Sequence, residues 1–183
     1  MIKNLIFILL SLFPMNLIIG QSIEELDRRH GFKDIKLGST ESELSDKIIF
    51  VEDANKNKIY RIKNVEAYDV FGKSLKDIKL AFNNGKLISI FLTTDYYQKP
   101  PKEGERGTDI SLDEFSTQFH SFERLFGEGE FMKDYKDYAF AWNWSGKTTQ
   151  LFLLYNNKMR GGSWLEIVIL DYSFYEKRIK DGF

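Results

Sequence analysis

The chain is 183 residues long, sets 26 Lys and Arg against 27 Asp and Glu, and contains no cysteine. A net charge of −1 offers no basis for a nucleic-acid partner, and the missing thiols exclude a disulfide staple, a metal-thiolate site and a lipoprotein anchor. Stability therefore rests on packing, for which 16 Phe, 9 Tyr and 3 Trp supply the bulk.

Residues 1–20 read as a secretory signal peptide. One early cation, Lys3, precedes a run of Leu, Ile and Phe that ends at Ile19-Gly20. The run is broken by Ser11, Pro14 and Asn16 and is short for a span of about 20 residues. Cleavage after Gly20 leaves Gln21 first and moves the net charge from −1 to −2, because Lys3 is the only charge removed. No second apolar run follows, so an exported chain, periplasmic or extracellular and without a stable membrane anchor, is expected.

Ser22 to Arg29 predicts a short helix, with Ser22 and Glu25 as a capping box and Gly31 as its stop. Phe32 to Leu37 alternates, and Thr40 with Glu43 forms a second box that opens a helix over Glu41 to Asp46. Strands are expected at Ile48–Val51, Ile59–Ile62, Ala67–Phe71 and in the hairpin Ile78–Leu92. In that hairpin, a three-residue loop Asn83–Gly85 pairs Phe82 with Lys86. It then places Ile78, Leu80, Phe82, Ile88, Ile90 and Leu92 on one face, so burial favours it over the two-residue loop Asn84-Gly85. Residues 99–110, with two prolines and two glycines among mixed charges, read as a linker. Ser111 with Glu114 opens the strongest helix, in which Leu112, Phe115, Phe119, Phe122 and Phe126 form one stripe capped by Gly127. Strands follow at Tyr138–Trp144, Thr149–Tyr155 and Ser163–Tyr172, with turns at Ser145-Gly146 and Asn156–Gly162 and a helical tail from Phe174 to Lys180.

The halves line up at a near-constant offset. Thr40 and Ser111 are both caps, and Phe82-Asn83-Asn84 and Tyr155-Asn156-Asn157 both look like strand-to-turn junctions. This predicts an α+β fold of two duplicated helix-plus-antiparallel-meander units, at 21–98 and 111–183, with helices on one face of the sheet or sheets. LGSTESEL followed by AFNNGKL resembles the small exported domains of the BamE/SmpA type, and two such units resemble the tandem arrangement of β-lactamase inhibitor proteins. FERLFGEGEF with YAFAWNWSGKTTQLFLLY also resembles uncharacterised secreted bacterial proteins. The resemblance implies a non-enzymatic exported protein that binds another protein. BamE-type proteins carry a lipid-attachment cysteine that this chain lacks.

No catalytic, cofactor or metal residue is assigned. His30 and His120 suit cap or surface roles. Gly72-Lys73-Ser74 and Gly146-Lys147-Thr148 lack the upstream glycine of a phosphate loop, where Ala67 and Ala141 stand, and read as turns. Asp53, Asn55 and Asn57 have calcium-loop spacing, but Lys58 and Asn64 replace the required glycine and glutamate. The paired acids lie in predicted first helical turns, where they suit the dipole. A hydrolase or sugar-binding protein would need two of them converging across a cleft. The candidate partner-binding residues are Tyr138, Phe140, Trp142 and Trp144, which alternate onto one strand face. That face either packs on the Phe stripe of the 111–126 helix or stands exposed as a platform, and the small residues between the rings favour packing. A protein-binding module (inhibitor, immunity-type or envelope accessory protein) is the leading expectation, a carboxylate hydrolase or sugar-binding protein the alternative, and a carrier of a small apolar ligand a third.

Overall fold

The computed structural model describes residues 22–94, 112–133, 140–158 and 162–180. The leader at 1–20, the linker at 99–110, Ser111 and Tyr138 lie outside the described residues. Helix α1 (Ile23–Arg29) leads into a small hairpin, β1 (Gly31–Phe32) and β2 (Ile35–Lys36). Next come β3 (Ile48–Ala54), β4 (Asn57–Ile62), β5 (Asp69–Val70), β6 (Lys73–Asn83) and β7 (Lys86–Thr94). Helix α2 (Leu112–Phe126) precedes β8 (Glu130–Phe131), β9 (Phe140–Ser145), β10 (Thr149–Lys158), β11 (Gly162–Asp171) and helix α3 (Tyr172–Lys180).

The two-unit α+β expectation is wrong. Among the described residues the chain is mainly β, with one nine-stranded antiparallel sheet in the order β3-β4-β6-β7-β11-β10-β9-β8, β5 added on β6, and a separate β1–β2 pair. The two runs of strands merge because β7 and β11 pair directly, Ile90 opposite Ile169 and Leu92 opposite Ile167. Both strands are apolar on both faces, so neither tolerates a solvated edge.

The supposed repeat dissolves at the residues that suggested it. Thr40 does form its capping box: its amide donates to Glu43 Oε2 at 2.7 Å, and the Glu43 amide donates to Thr40 Oγ1 at 3.3 Å. Only hydrogen-bonded turns follow, because Leu44 alone is buried there and Ser45 bonds back to the Ser42 carbonyl. Tyr155-Asn156-Asn157 is not a junction either; it lies inside β10, paired with Leu165, Trp164 and Ser163. Nor do the helices share one face. Leu26 of α1 and Phe115, Phe122 and Phe126 of α2 cover one side of the sheet. On the other, Tyr175 of α3 hydrogen-bonds Ser89 at 2.9 Å, and Ala141, Phe152, Leu154 and Val168 form a second, smaller cluster.

The central hairpin corrects the predicted loop. Asn83 pairs with Lys86 and Phe82 with Leu87, so the loop has two residues, Asn84 and Gly85, both left-handed at φ 48° and 74°. The ladder then shifts at Ile88, and Leu80 faces Ile90 and Ile78 faces Leu92. The burial requirement is met by this bulge rather than by a longer loop, and Leu87 takes the core place expected for Ile88.

Candidate functional site: an aromatic face beside α2

The stripe Leu112 to Phe126 forms a 15-residue helix whose aromatic side lies on β9 and β10. Three of the four candidate residues are described there, and they sit at three depths. Trp144 is 1% exposed, and its indole N–H donates to the Gly127 carbonyl at 2.9 Å, just past the end of α2. Trp142 is half-buried, with ring centroids 4.7 Å from Phe119, 5.3 Å from Phe115 and 4.9 Å from Phe131. Phe140 is 36% exposed and touches Phe115 and Tyr155. One strand face thus grades from core to surface, so packing and exposure hold at different residues of the same stripe.

Phe131 completes the exposed end. It lies on β8, a two-residue strand without a sequence signature, and is 51% exposed. Its register partner across the strands is Trp142. It carries no signal in the sequence, because two residues set up no periodicity. Between α2 and β9 lies a concavity of about 350 Å³ lined by Phe115, Ser116, Phe119, His120, Phe140 and Trp142. His120 pairs with Glu123 at 2.9 Å at its helix surface.

The strand that carries these rings is anchored at its far end. Gly146-Lys147-Thr148 holds an anion after all, and the anion is internal. Asp27 of α1 accepts the backbone N–H groups of Lys147 (2.7 Å), Thr148 (2.9 Å) and Thr149 (2.9 Å) and the Thr148 hydroxyl (3.0 Å). Burial pushes the Asp27 carboxyl upward, but these donors outweigh it and hold it below the usual carboxylate range. His30, left-handed at φ 42° at the end of α1, adds a 2.8 Å bond between Nδ1 and Thr149 Oγ1. The triplet's glycine is required by this approach, since a Cβ at Gly146 falls 2.4 Å from Asp27 Oδ1. On β3–β4, the predicted polar turn is a tight hairpin with Asn55 and Lys56 left-handed.

Among the described residues no group of three or more His, Asp or Glu is arranged to hold a metal ion, and no helix is long and apolar enough to cross a membrane. Comparison with protein-family models, curated proteins and solved structures finds no match for this chain.

Proposed function

We propose that the chain is an exported, non-enzymatic module that binds another protein through the aromatic face formed by Phe131, Phe140 and Trp142. The observation that carries this reading is the exposure of Phe131 (51%) and Phe140 (36%) on either side of a half-buried tryptophan. Rings in this position keep apolar area in contact with water unless a partner covers it. Large rings beside a preformed pocket are also the anchor geometry of protein interfaces. The partner's contribution is an apolar side chain that enters the pocket between α2 and β9. The sequence resemblance to exported inhibitor and envelope domains implies the same class of role.

Phe131→Ser and Phe140→Ser test the reading, because both side chains are exposed and their loss leaves the core intact. A photo-crosslinking residue placed at Lys133, beside Phe131, is expected to give one discrete protein adduct in an envelope or culture-fluid extract. Each serine variant should lower that yield about tenfold with little change in Tm. An adduct pattern unaffected by both variants would exclude this face as the docking surface.

A further inference from the structure

Strand β3 ends the nine-stranded sheet on the side opposite β8 and pairs only with β4. The Lys63 N–H donates to the Lys47 carbonyl at 2.8 Å. By the alternation of an antiparallel ladder, Lys47 and Ile49 therefore turn their backbone groups toward β4, and Ile48 and Phe50 turn theirs outward. Among the described residues nothing meets those outward groups. Such a row of open N–H and C=O groups is a template for an added strand.

The side chains along this margin are apolar and uncovered. Ile49 is 51% exposed, Phe50 52% and Val51 42%, whereas Ile48 is buried and ties the strand to the core. The Phe50 ring meets Tyr60 edge-on at 5.6 Å, which fixes it beside the margin. Edge strands are ordinarily blunted by charge or proline. Three successive exposed apolar residues here keep area wet that a further strand would cover.

The charge beside this run is one-sided. Glu52 and Asp53 follow it, both exposed, and neither has an ion-pair partner among the described residues. Lys58, the register partner of Asp53, reaches Glu41 at 3.4 Å instead. A bulge between Phe50 and Glu52 ends the regular edge there, which suits a short added strand and opposes open-ended stacking. A second copy does not answer the acids. With Ile48 opposite the copy's Phe50, Glu52 approaches the copy's Asp46. With Phe50 opposite the copy's Phe50, Asp53 approaches a Lys47 already held by Asp34 at 2.6 Å.

We propose that β3 accepts an added antiparallel strand from a partner polypeptide in which cationic residues immediately precede a short apolar run. In that direction the partner's cations lie beside Glu52 and Asp53, and its apolar residues cover Ile49, Phe50 and Val51. Main-chain bonds to Ile48 and Phe50 supply affinity, and the charges fix direction and partner choice. This edge and the aromatic face at Phe131 stand at opposite ends of the sheet, so the two surfaces are separate.

The probe is the peptide acetyl-KKVIVTV-amide, titrated into the purified chain while the Ile48 and Phe50 backbone amides are followed by NMR. Both amides should shift saturably and gain protection from hydrogen exchange. The charge-reversed peptide acetyl-EEVIVTV-amide should bind about tenfold more weakly, and a proline at the central valine should abolish binding. Glu52→Lys with Asp53→Lys, both at exposed positions, should reverse the preference between the two peptides at unchanged Tm. Absence of saturable shifts at millimolar peptide, equal binding of the two peptides to the wild-type chain, or shifts confined to Trp142 would each overturn the proposal. So would a dimer in sedimentation that Phe50→Lys dissociates, because it would give the edge to a second copy.

Discussion

Asp27 and Gly146 form one device seen from two sides. The carboxylate satisfies three amides of a turn 120 residues away, and the glycine makes room for it. Asp27→Ala should destabilise the chain by about 1–3 kcal/mol, because donors are left without an acceptor. Gly146→Ala should cost a similar amount in the wild-type background but far less beside Asp27→Ala. A double-mutant cycle by urea denaturation checks that coupling. The pH dependence follows from the depressed carboxyl. Its folded pKa lies below the unfolded value of about 3.9, so its stabilisation is complete above that value and is lost as pH falls through the folded pKa. Asp27→Asn should flatten the acid limb of a stability–pH curve. Little of this was legible in the sequence. Gly-Lys-Thr was visible as a turn and His30 as a cap, but nothing local connects a residue on the first helix to amides beyond position 146.

At the scale of elements, patterns foretold contacts better than boundaries. The Phe stripe of α2 and the two-sided apolar character of β10 were both legible, since each repeats over many residues. The Thr40 box was legible as well, yet it closes turns because no apolar stripe extends beyond Leu44. The β6–β7 hairpin shows why register is harder to read. Its one-faced core requires an odd residue somewhere, and sequence alone does not choose between loop and strand for its place. Because Ile88 is that residue, its deletion should leave the β6–β7 and β7–β11 ladders intact and yield a folded protein. Deletion of Phe91, within the regular ladder, should turn either Ile90 or Leu92 away from the core and unfold the chain. Thermal melts of the two deletions distinguish these outcomes. At the loop itself, Gly85→Ala at φ 74° should cost about 1–2 kcal/mol.

For the whole molecule, the β7–β11 seam replaces the boundary that the linker and offset suggested. Local pattern marks β7 as half of a one-faced hairpin and β11 as a strand, but it does not say that the two pair, each buried on both faces. Residues 22–94 alone would present β7 as a bare apolar edge, so this fragment should lack cooperative unfolding and amide protection. A fragment with sharp, dispersed NMR signals would contradict that. Ile169→Ala, at the seam and 3% exposed, should cost about 2–5 kcal/mol and weaken protection on both sides of the sheet together. The site was legible in part, since Phe140 and Trp142 carry an alternation that marks a face. Phe131 and the pocket between α2 and β9 emerge only once the strands are placed.

The position of β11 also bears on synthesis. Among the described strands it comes last in the chain, yet it occupies the middle of the sheet between β7 and β10. Strands that emerge earlier must wait, with one margin of β7 unpaired, until β11 has been translated. A premature stop upstream of residue 162 therefore removes a central strand rather than trimming an edge.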